Sequence, residues 1–173
     1  MTNPISTAQQ QENLIKDINY ILDDLYRKES SLFGNNLCER CLVFRFAHHL
    51  QNKLGGGYYV DCDYNSSTYY DKESGQWKKR GGKPINDQAN GKITKRFIDI
   101  IVHKREVSSD SDFICFEIKK WNNCTKEGVK KDVNNLKVLT KEYGYEFGFH
   151  LIFGETKEET KISVFHNGKK LND

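Results

Sequence analysis

Three charged side chains interrupt two strand-like segments that are otherwise mostly apolar. Asp99 lies within residues 96–104 (RFIDIIVHK), and Glu117 and Lys119 lie within residues 113–119 (FICFEIK). Successive residues of a strand point to opposite faces, so each of these charges shares its face with apolar side chains. If the two strands pair, two carboxylates meet one ammonium in a poorly hydrated place.

An excess of buried negative charge costs several kcal/mol unless something compensates it. A divalent cation removes the excess, because hard cations such as Mg²⁺ bind carboxylate oxygens and keep waters for phosphate ligands. That chemistry suits hydrolysis of a phosphodiester. The alternatives are solvated strand ends, or an internal ion pair between Asp99 and Lys119.

The spacing of apolar residues predicts the elements that position these strands. Apolar residues recur at three and four positions in three segments, which predicts amphipathic helices over residues 7–28, 36–53 and 125–142. In the third helix, the residues expected to face inward are Val129, Val133, Leu136 and Thr140. Short β-rich runs bounded by turn residues predict strands at residues 58–64, 96–104, 113–119, 147–153 and 161–166.

The order of these elements predicts an α/β fold. From residue 36 onward they run α-β-β-β-α-β and end in a further strand. The strands over residues 96–104 and 113–119 are expected to form an antiparallel hairpin. The helix that follows allows a parallel crossover, so we expect a central mixed β-sheet flanked by helices.

A length of 173 residues fits a single domain. We divide it into an N-terminal helical appendage (1–35), a core (36–154) and a C-terminal strand or hairpin (155–173). Within the core, residues 65–95 are rich in Ser, Asn, Gly and Lys and are predicted to form a long structureless basic loop.

Positive charge is concentrated in one part of the chain. The net charge is only +3, but residues 65–96 hold eight Lys or Arg against three acids. Such a segment neutralises phosphates, and its Tyr69, Tyr70 and Trp77 suit stacking on unpaired bases. A solvated loop is the alternative. The predicted nucleic-acid contacts are Lys78, Lys79, Arg80, Lys83, Arg96, Lys104 and Arg105.

Asp99, seventeen intervening residues and then Glu117-Ile118-Lys119 resemble the signature of the PD-(D/E)XK nuclease superfamily. The resemblance covers residues 36–154, although Ile98 stands where many members carry proline. It implies a restriction-endonuclease-like fold and a Mg²⁺- or Mn²⁺-dependent endonuclease acting on DNA, with RNA left open.

The same resemblance assigns roles to individual residues. Asp99, Glu117 and the backbone carbonyl of Ile118 are implied metal ligands, and Lys119 is implied to orient or activate the attacking water. Glu39 fits an additional glutamate from the preceding helix, and is equally well explained as a first-turn acid favoured by the helix dipole. Further polar residues that would border the site, each with a structural role as the alternative, are Arg45, Asp63, Asn65, His103 and Asp132.

Two other functions stay open at this point. A module with the same fold but no catalytic activity would bind nucleic acid or a protein. The Cys38-Glu-Arg-Cys41 spacing also permits zinc or redox chemistry, but no second regularly spaced pair of cysteines supplies the remaining zinc ligands. Five cysteines and no recognisable export signal or membrane span predict reduced thiols, no membrane association and a cytoplasmic protein. A homodimer is compatible with cutting both strands of DNA.

Overall fold

The computed structural model describes residues 6–34, 38–54, 57–64, 68–71, 73–79, 84–87, 92–95, 97–104 and 112–171. The helices are α1 (Thr7–Lys28), α2 (Ser31–Gly34), α3 (Glu39–Leu54) and α4 (Lys126–Glu142), with a 3₁₀ turn at Trp121–Asn123. The strands are β1 (Tyr59–Tyr64), β2 (Thr68–Asp71), β3 (Gln76–Lys79), β4 (Pro84–Asp87), β5 (Lys92–Lys95), β6 (Ile98–His103), β7 (Asp112–Lys120), β8 (Phe147–Phe153), β9 (Lys161–His166) and β10 (Lys169–Lys170).

Six strands form one mixed sheet in the order β1-β6-β7-β8-β9-β10. β7 and β8 are parallel, and the other neighbouring strands are antiparallel. The predicted α/β class with a mixed sheet is therefore confirmed, as is the antiparallel pairing of the two strands that carry the charged residues.

Helices cover both faces of this sheet. On one face α3 packs on β1, β6 and β7, and α1 packs on α3. On the other face α4 packs on β7, β8 and β9. The alternation along the strands divides the core accordingly, because Ile100 and Phe116 belong to the α1–α3 side whereas Ile101 and Cys115 belong to the α4 side.

Helix α4 presents a more polar face to the sheet than the sequence predicted. It begins after Thr125, whose side chain accepts a hydrogen bond from the Gly128 N–H, and it ends before Gly144, which has a positive φ of 77°. Leu136 and Thr140 are buried as predicted. Val129 and Val133 are only partly buried, while Asp132 and Asn135 are buried. Asp132 and Asn135 face the sheet because Lys119 and Glu117 on β7 are their polar partners.

The expectation of a structureless connection over residues 65–95 is wrong. Two separate antiparallel hairpins, β2–β3 and β4–β5, form within it. Aromatic and β-branched residues favour these short strands, and Gly75 supplies the positive φ of 64° that the turn between β2 and β3 requires. Neither hairpin is hydrogen-bonded into the main sheet.

Within the described ranges, no helix combines the length and the apolar character needed to cross a membrane.

Candidate metal centre

The site lies where β6 and β7 separate. Their last backbone pair is Ile100 with Phe116, although β6 continues to pair with β1 as far as Ile98. Beyond that pair, the Ile118 N–H donates to Asp99 Oδ2 at 2.7 Å. A side-chain carboxylate thus replaces the backbone acceptor that a continued ladder would supply, and the two strands open around it.

Lys119 lies at the centre of the polar cluster. Its Nζ donates to Glu39 Oε1 at 3.1 Å and to the Ile118 carbonyl at 3.2 Å, and it lies 3.5 Å from Asp132 Oδ2. The second oxygen of Glu39 accepts from the Lys120 N–H at 3.0 Å. Glu39, the first residue of α3, therefore joins that helix to the end of β7.

Glu117 is held from the α4 side of the sheet. Its side chain is almost fully buried, with 3% exposed, and its Oε1 accepts from Asn135 Nδ2 at 2.8 Å. Asp132 lies one helical turn before Asn135 and is also buried, with 5% exposed. Both α4 residues consequently face the carboxylates of the strands.

Both strand carboxyls have raised pKa values, and burial is the main cause. Burial raises the pKa of Asp99 to about 6, against the opposing effects of the Ile118 N–H and Lys119. Burial, and then the charges of Asp99 and Asp132, raise the pKa of Glu117 well above its usual value. Perturbed carboxyls of this kind are common at functional sites.

Lys119 is the main positive charge in this surrounding. Burial alone would lower its pKa, but the carboxylates of Asp132, Glu39 and Asp99 together raise the pKa above the ordinary lysine value. The lysine therefore stays protonated at neutral pH. One ammonium cannot balance the carboxylates of Glu39, Asp99 and Asp132, so the cluster keeps a net negative charge.

Two residues of the cluster were missed by sequence reasoning. His150 on β8 is the in-register neighbour of Glu117, and Asn135 holds the Glu117 carboxylate. His150 is the one ionisable residue in the apolar strand FGFHLIF, which is the same signal that marked Asp99 and Glu117. Asn135 follows Asp132 by three residues, the spacing that brings two side chains to one helix face.

Two residues expected to border the site, Arg45 and His103, have other partners. Arg45 donates from Nε and Nη2 to the Glu29 carboxylate at 2.5 and 2.6 Å. His103 is hydrogen-bonded to Asp61 at 2.7 Å, and it lies four residues from Asp99, or about 13 Å along β6. Each side chain is held by an acid outside the cluster, so these contacts do not bring either residue to the centre.

Asp63 does not join the carboxylate cluster either. It is exposed, has a positive φ of 50°, and lies with its Oδ2 3.7 Å from Arg40 Nε. The prediction that it borders the centre is therefore not supported by its contacts. Asn65 lies outside the described residues, whereas Asp132 does belong to the cluster.

Most of the predicted nucleic-acid contacts also lie outside the described residues. Lys78 and Lys79 are described only as backbone of β3. Lys104 follows the end of β6 that is remote from Asp99, and its Nζ lies 5.3 Å from the centre of the Tyr58 ring. Contact with nucleic acid stays a prediction. The residues outside the description are Arg80, Lys83, Arg96 and Arg105.

All five cysteines are free, as expected for reduced thiols, and both Cys38 and Cys41 are exposed. Among the described residues, no three His, Cys, Asp or Glu side chains are gathered closely enough to form a ready set of metal ligands. This holds for the cysteine pair as well as for the carboxylates, which are arranged around Lys119.

Comparisons of the chain with protein-family models, with curated proteins and with solved structures found no match.

Proposed function

We propose that this protein is a divalent-cation-dependent nuclease of the PD-(D/E)XK type that hydrolyses phosphodiester bonds of DNA. One observation carries the proposal. Four carboxyl groups from four different elements surround a single lysine ammonium at the point where two strands separate, and they belong to Glu39, Asp99, Glu117 and Asp132. The α-β-β-β-α-β order of the sheet-forming elements supports a restriction-endonuclease-like fold for the core.

The donor chemistry fits Mg²⁺ or Mn²⁺. Asp99, Glu117 and Glu39 offer carboxylate oxygens, and Ile118 offers a backbone carbonyl that now accepts from Lys119. In addition, Asp132 Oδ2 is buried without a hydrogen-bond partner. When bound, such an ion polarises a phosphate oxygen and lowers the pKa of a coordinated water.

Lys119 would act on the substrate mainly by its charge. The pKa of its ammonium is raised, so the side chain is a poor proton acceptor at neutral pH. A protonated lysine next to the scissile phosphate holds water by hydrogen bonding and stabilises the charge that develops in the transition state. Glu39 and Asp132 would keep that ammonium in place.

The test is a cleavage assay on single- and double-stranded DNA with Mg²⁺, Mn²⁺ or a chelator. Wild type is compared with Asp99→Asn and Lys119→Met, which remove charge at nearly constant volume. Lys130→Met, on the exposed side of α4, is the control. Metal-dependent cleavage that is lost in the two site variants and kept in the control supports the proposal. Undiminished cleavage in both site variants contradicts it, provided that circular dichroism shows all chains folded.

A second function is favoured by the two ion pairs of Lys119. The Lys119 ammonium already pairs with Glu39 and Asp132, as an internal counter-ion would in a chain that binds no metal. A catalytically inactive module would retain DNA with salt-sensitive affinity and would show no cleavage with any divalent cation.

A further inference from the structure

Two histidine–aspartate pairs lie in the main sheet, and their geometries differ. His103 Nε2 lies 2.7 Å from Asp61 Oδ2, which is a normal hydrogen bond. His150 Nε2 lies 3.7 Å from Asp132 Oδ2, too far for one. Both histidines are buried, so burial does not explain the difference.

Both of these atoms are buried and lack a hydrogen bond, and the nearest cation to Asp132 Oδ2 is Lys119 Nζ at 3.5 Å. Asp132 Oδ2 and His150 Nε2 have no hydrogen-bond partner among the described residues. Burying a polar atom without a hydrogen bond is unfavourable, and groups of this kind call for a bound ion, a water or a catalytic role. Two bonds of about 2.1 Å span about 3.0 to 3.4 Å at octahedral or tetrahedral angles, so a shift of a few tenths of an ångström would let both atoms bind one ion.

A nitrogen ligand changes which cation is preferred. Mg²⁺ takes oxygen ligands and keeps its waters, whereas imidazole suits transition-metal ions. Mn²⁺ accepts carboxylate oxygens as well as imidazole nitrogen. Glu117, the in-register neighbour of His150, adds a carboxylate beside the pair.

We infer that Asp132 and His150 form a nitrogen–oxygen ligand pair that makes this centre select a transition-metal cation such as Mn²⁺ over Mg²⁺. The inference rests on the proposed function, since it names the class of cation at the same centre. It adds His150, which the signature Asp99…Glu117-x-Lys119 does not include.

The first experiment measures the metal bond itself in wild-type protein. Metal-free protein is loaded with one equivalent of Mn²⁺, and electron spin echo envelope modulation is recorded. Coupling to a directly bound ¹⁴N nucleus is expected, and it should disappear in His150→Gln. His103→Gln is the matched control, because it alters the hydrogen-bonded pair in the same sheet and should leave the coupling intact.

The second experiment measures selectivity by calorimetric titration with Mn²⁺ and with Mg²⁺. Wild type is expected to bind Mn²⁺ at least about tenfold more tightly than Mg²⁺, and His150→Gln should lose about that factor for Mn²⁺ alone. Asp132→Asn, which keeps the volume of the side chain, should also weaken Mn²⁺ binding if His150→Gln does not fold.

The outcomes separate this inference from the proposed function. Bound Mn²⁺ without a nitrogen coupling in wild type overturns the inference and leaves the nuclease proposal standing, and so does equal affinity for the two ions. A wild-type protein that binds neither ion overturns both. A bridging water alone would appear as an unchanged Mn²⁺ affinity in His150→Gln, which also contradicts the inference.

Discussion

Two clusters of charged residues in this protein both contain Asp, Glu, Lys and His, but their acids have pKa values shifted in opposite directions. The interhelical cluster lies between α1 and α3 and consists of Asp24, Lys28, Glu29, Arg45 and His49. Its acids are paired closely, with Lys28 Nζ 2.6 Å from Asp24 Oδ2 and Arg45 Nε 2.5 Å from Glu29 Oε2. Hydrogen bonds from Lys28 and Arg45 accordingly lower the pKa values of Asp24 and Glu29.

The carboxylates around Lys119 show the reverse. The pKa values of Asp99 and Glu117 are raised, because burial disfavours their charge and too few cations compensate it. The comparison teaches that the number of cations per acid and the degree of burial, rather than the presence of charge, separate the two clusters. The interhelical cluster joins α1 and α3 through ion pairs, whereas the carboxylates around Lys119 keep an excess of negative charge.

The largest expected difference is in cleavage. Lys119→Met should lower the rate of metal-dependent DNA cleavage by about 100-fold or more, since a positioned donor to the reacting phosphate contributes on that scale. Arg45→Met breaks an ion pair in the interhelical cluster and should keep cleavage within about twofold. Single-turnover rates at saturating Mn²⁺ measure both. Equal losses in the two variants would remove the functional distinction between the clusters.

The next effect is on the stability of the metal-free protein. Asp99→Asn should raise the free energy of unfolding at pH 7 by on the order of 2 kcal/mol, because a pKa unit corresponds to about 1.4 kcal/mol and the buried charge is removed. The asparagine oxygen still accepts from the Ile118 N–H. Urea unfolding with a chelator present measures the change. A loss of stability instead would mean that the aspartate charge is compensated after all.

A third prediction concerns pH and metal affinity. A cation competes with the proton on Asp99, whose pKa is about 6. Mn²⁺ affinity should therefore rise by about tenfold or more per pH unit below 6, and less steeply above it, where only Glu117 still has a proton to lose. Calorimetric titrations at pH 5, 6 and 7 test this. Asp99→Asn should have a smaller slope below pH 6 than wild type, and equal slopes in the two proteins would exclude Asp99 as a ligand.

The fourth prediction contrasts the pH dependence of folding in the two clusters. The folded protein keeps a proton on Asp99 up to its pKa of about 6, whereas an unfolded chain loses it near the usual aspartate pKa of 3.8. Asp99 thus makes metal-free stability fall as pH rises from about 4 to about 6. Glu29 has a lowered pKa, so its contribution is present above its usual pKa and is lost as pH falls.

The corresponding variants should show slopes of opposite sign. Asp99→Asn should flatten the fall of the free energy of unfolding between pH 4 and 6. Glu29→Gln should weaken the loss of stability in acid, and at pH 7 it should lower the melting temperature slightly, by less than Asp99→Asn raises it. Slopes of the same sign in the two variants would contradict the assignment of pKa directions.

Much of the fold and half of the centre could be predicted because they depend on local periodicity. Alternation along β6 and β7 was enough to bring Asp99, Glu117 and Lys119 together, and the spacing of apolar residues located α3 and α4. Glu39 was placed correctly at the start of α3. What failed depends on contacts between distant elements, as when Arg45 pairs with Glu29 rather than with the strand carboxylates.

The missed residues show a second limit. His150 reaches the centre only because β7 and β8 are parallel with Glu117 opposite it, and that register cannot be obtained from either strand alone. The apolar spacing of α4 predicted an inward face through Val129 and Val133, whereas the helix is rotated so that Asp132 and Asn135 face the sheet. The inward position of Asn135 could not be predicted without that rotation. The two hairpins over residues 68–95 were missed because turn-rich composition outweighed their short β-rich runs.

Ile118 contributes only backbone groups to the candidate centre, while its side chain contributes only to the core. Its N–H is taken by Asp99 and its carbonyl by Lys119, while its own side chain lies in the core on the α1–α3 side of the sheet. Any apolar residue that fits this core supplies the same two backbone groups. The position is therefore free to drift among Ile, Val and Leu during evolution, and such exchanges should register as changes in thermal tolerance rather than in catalysis.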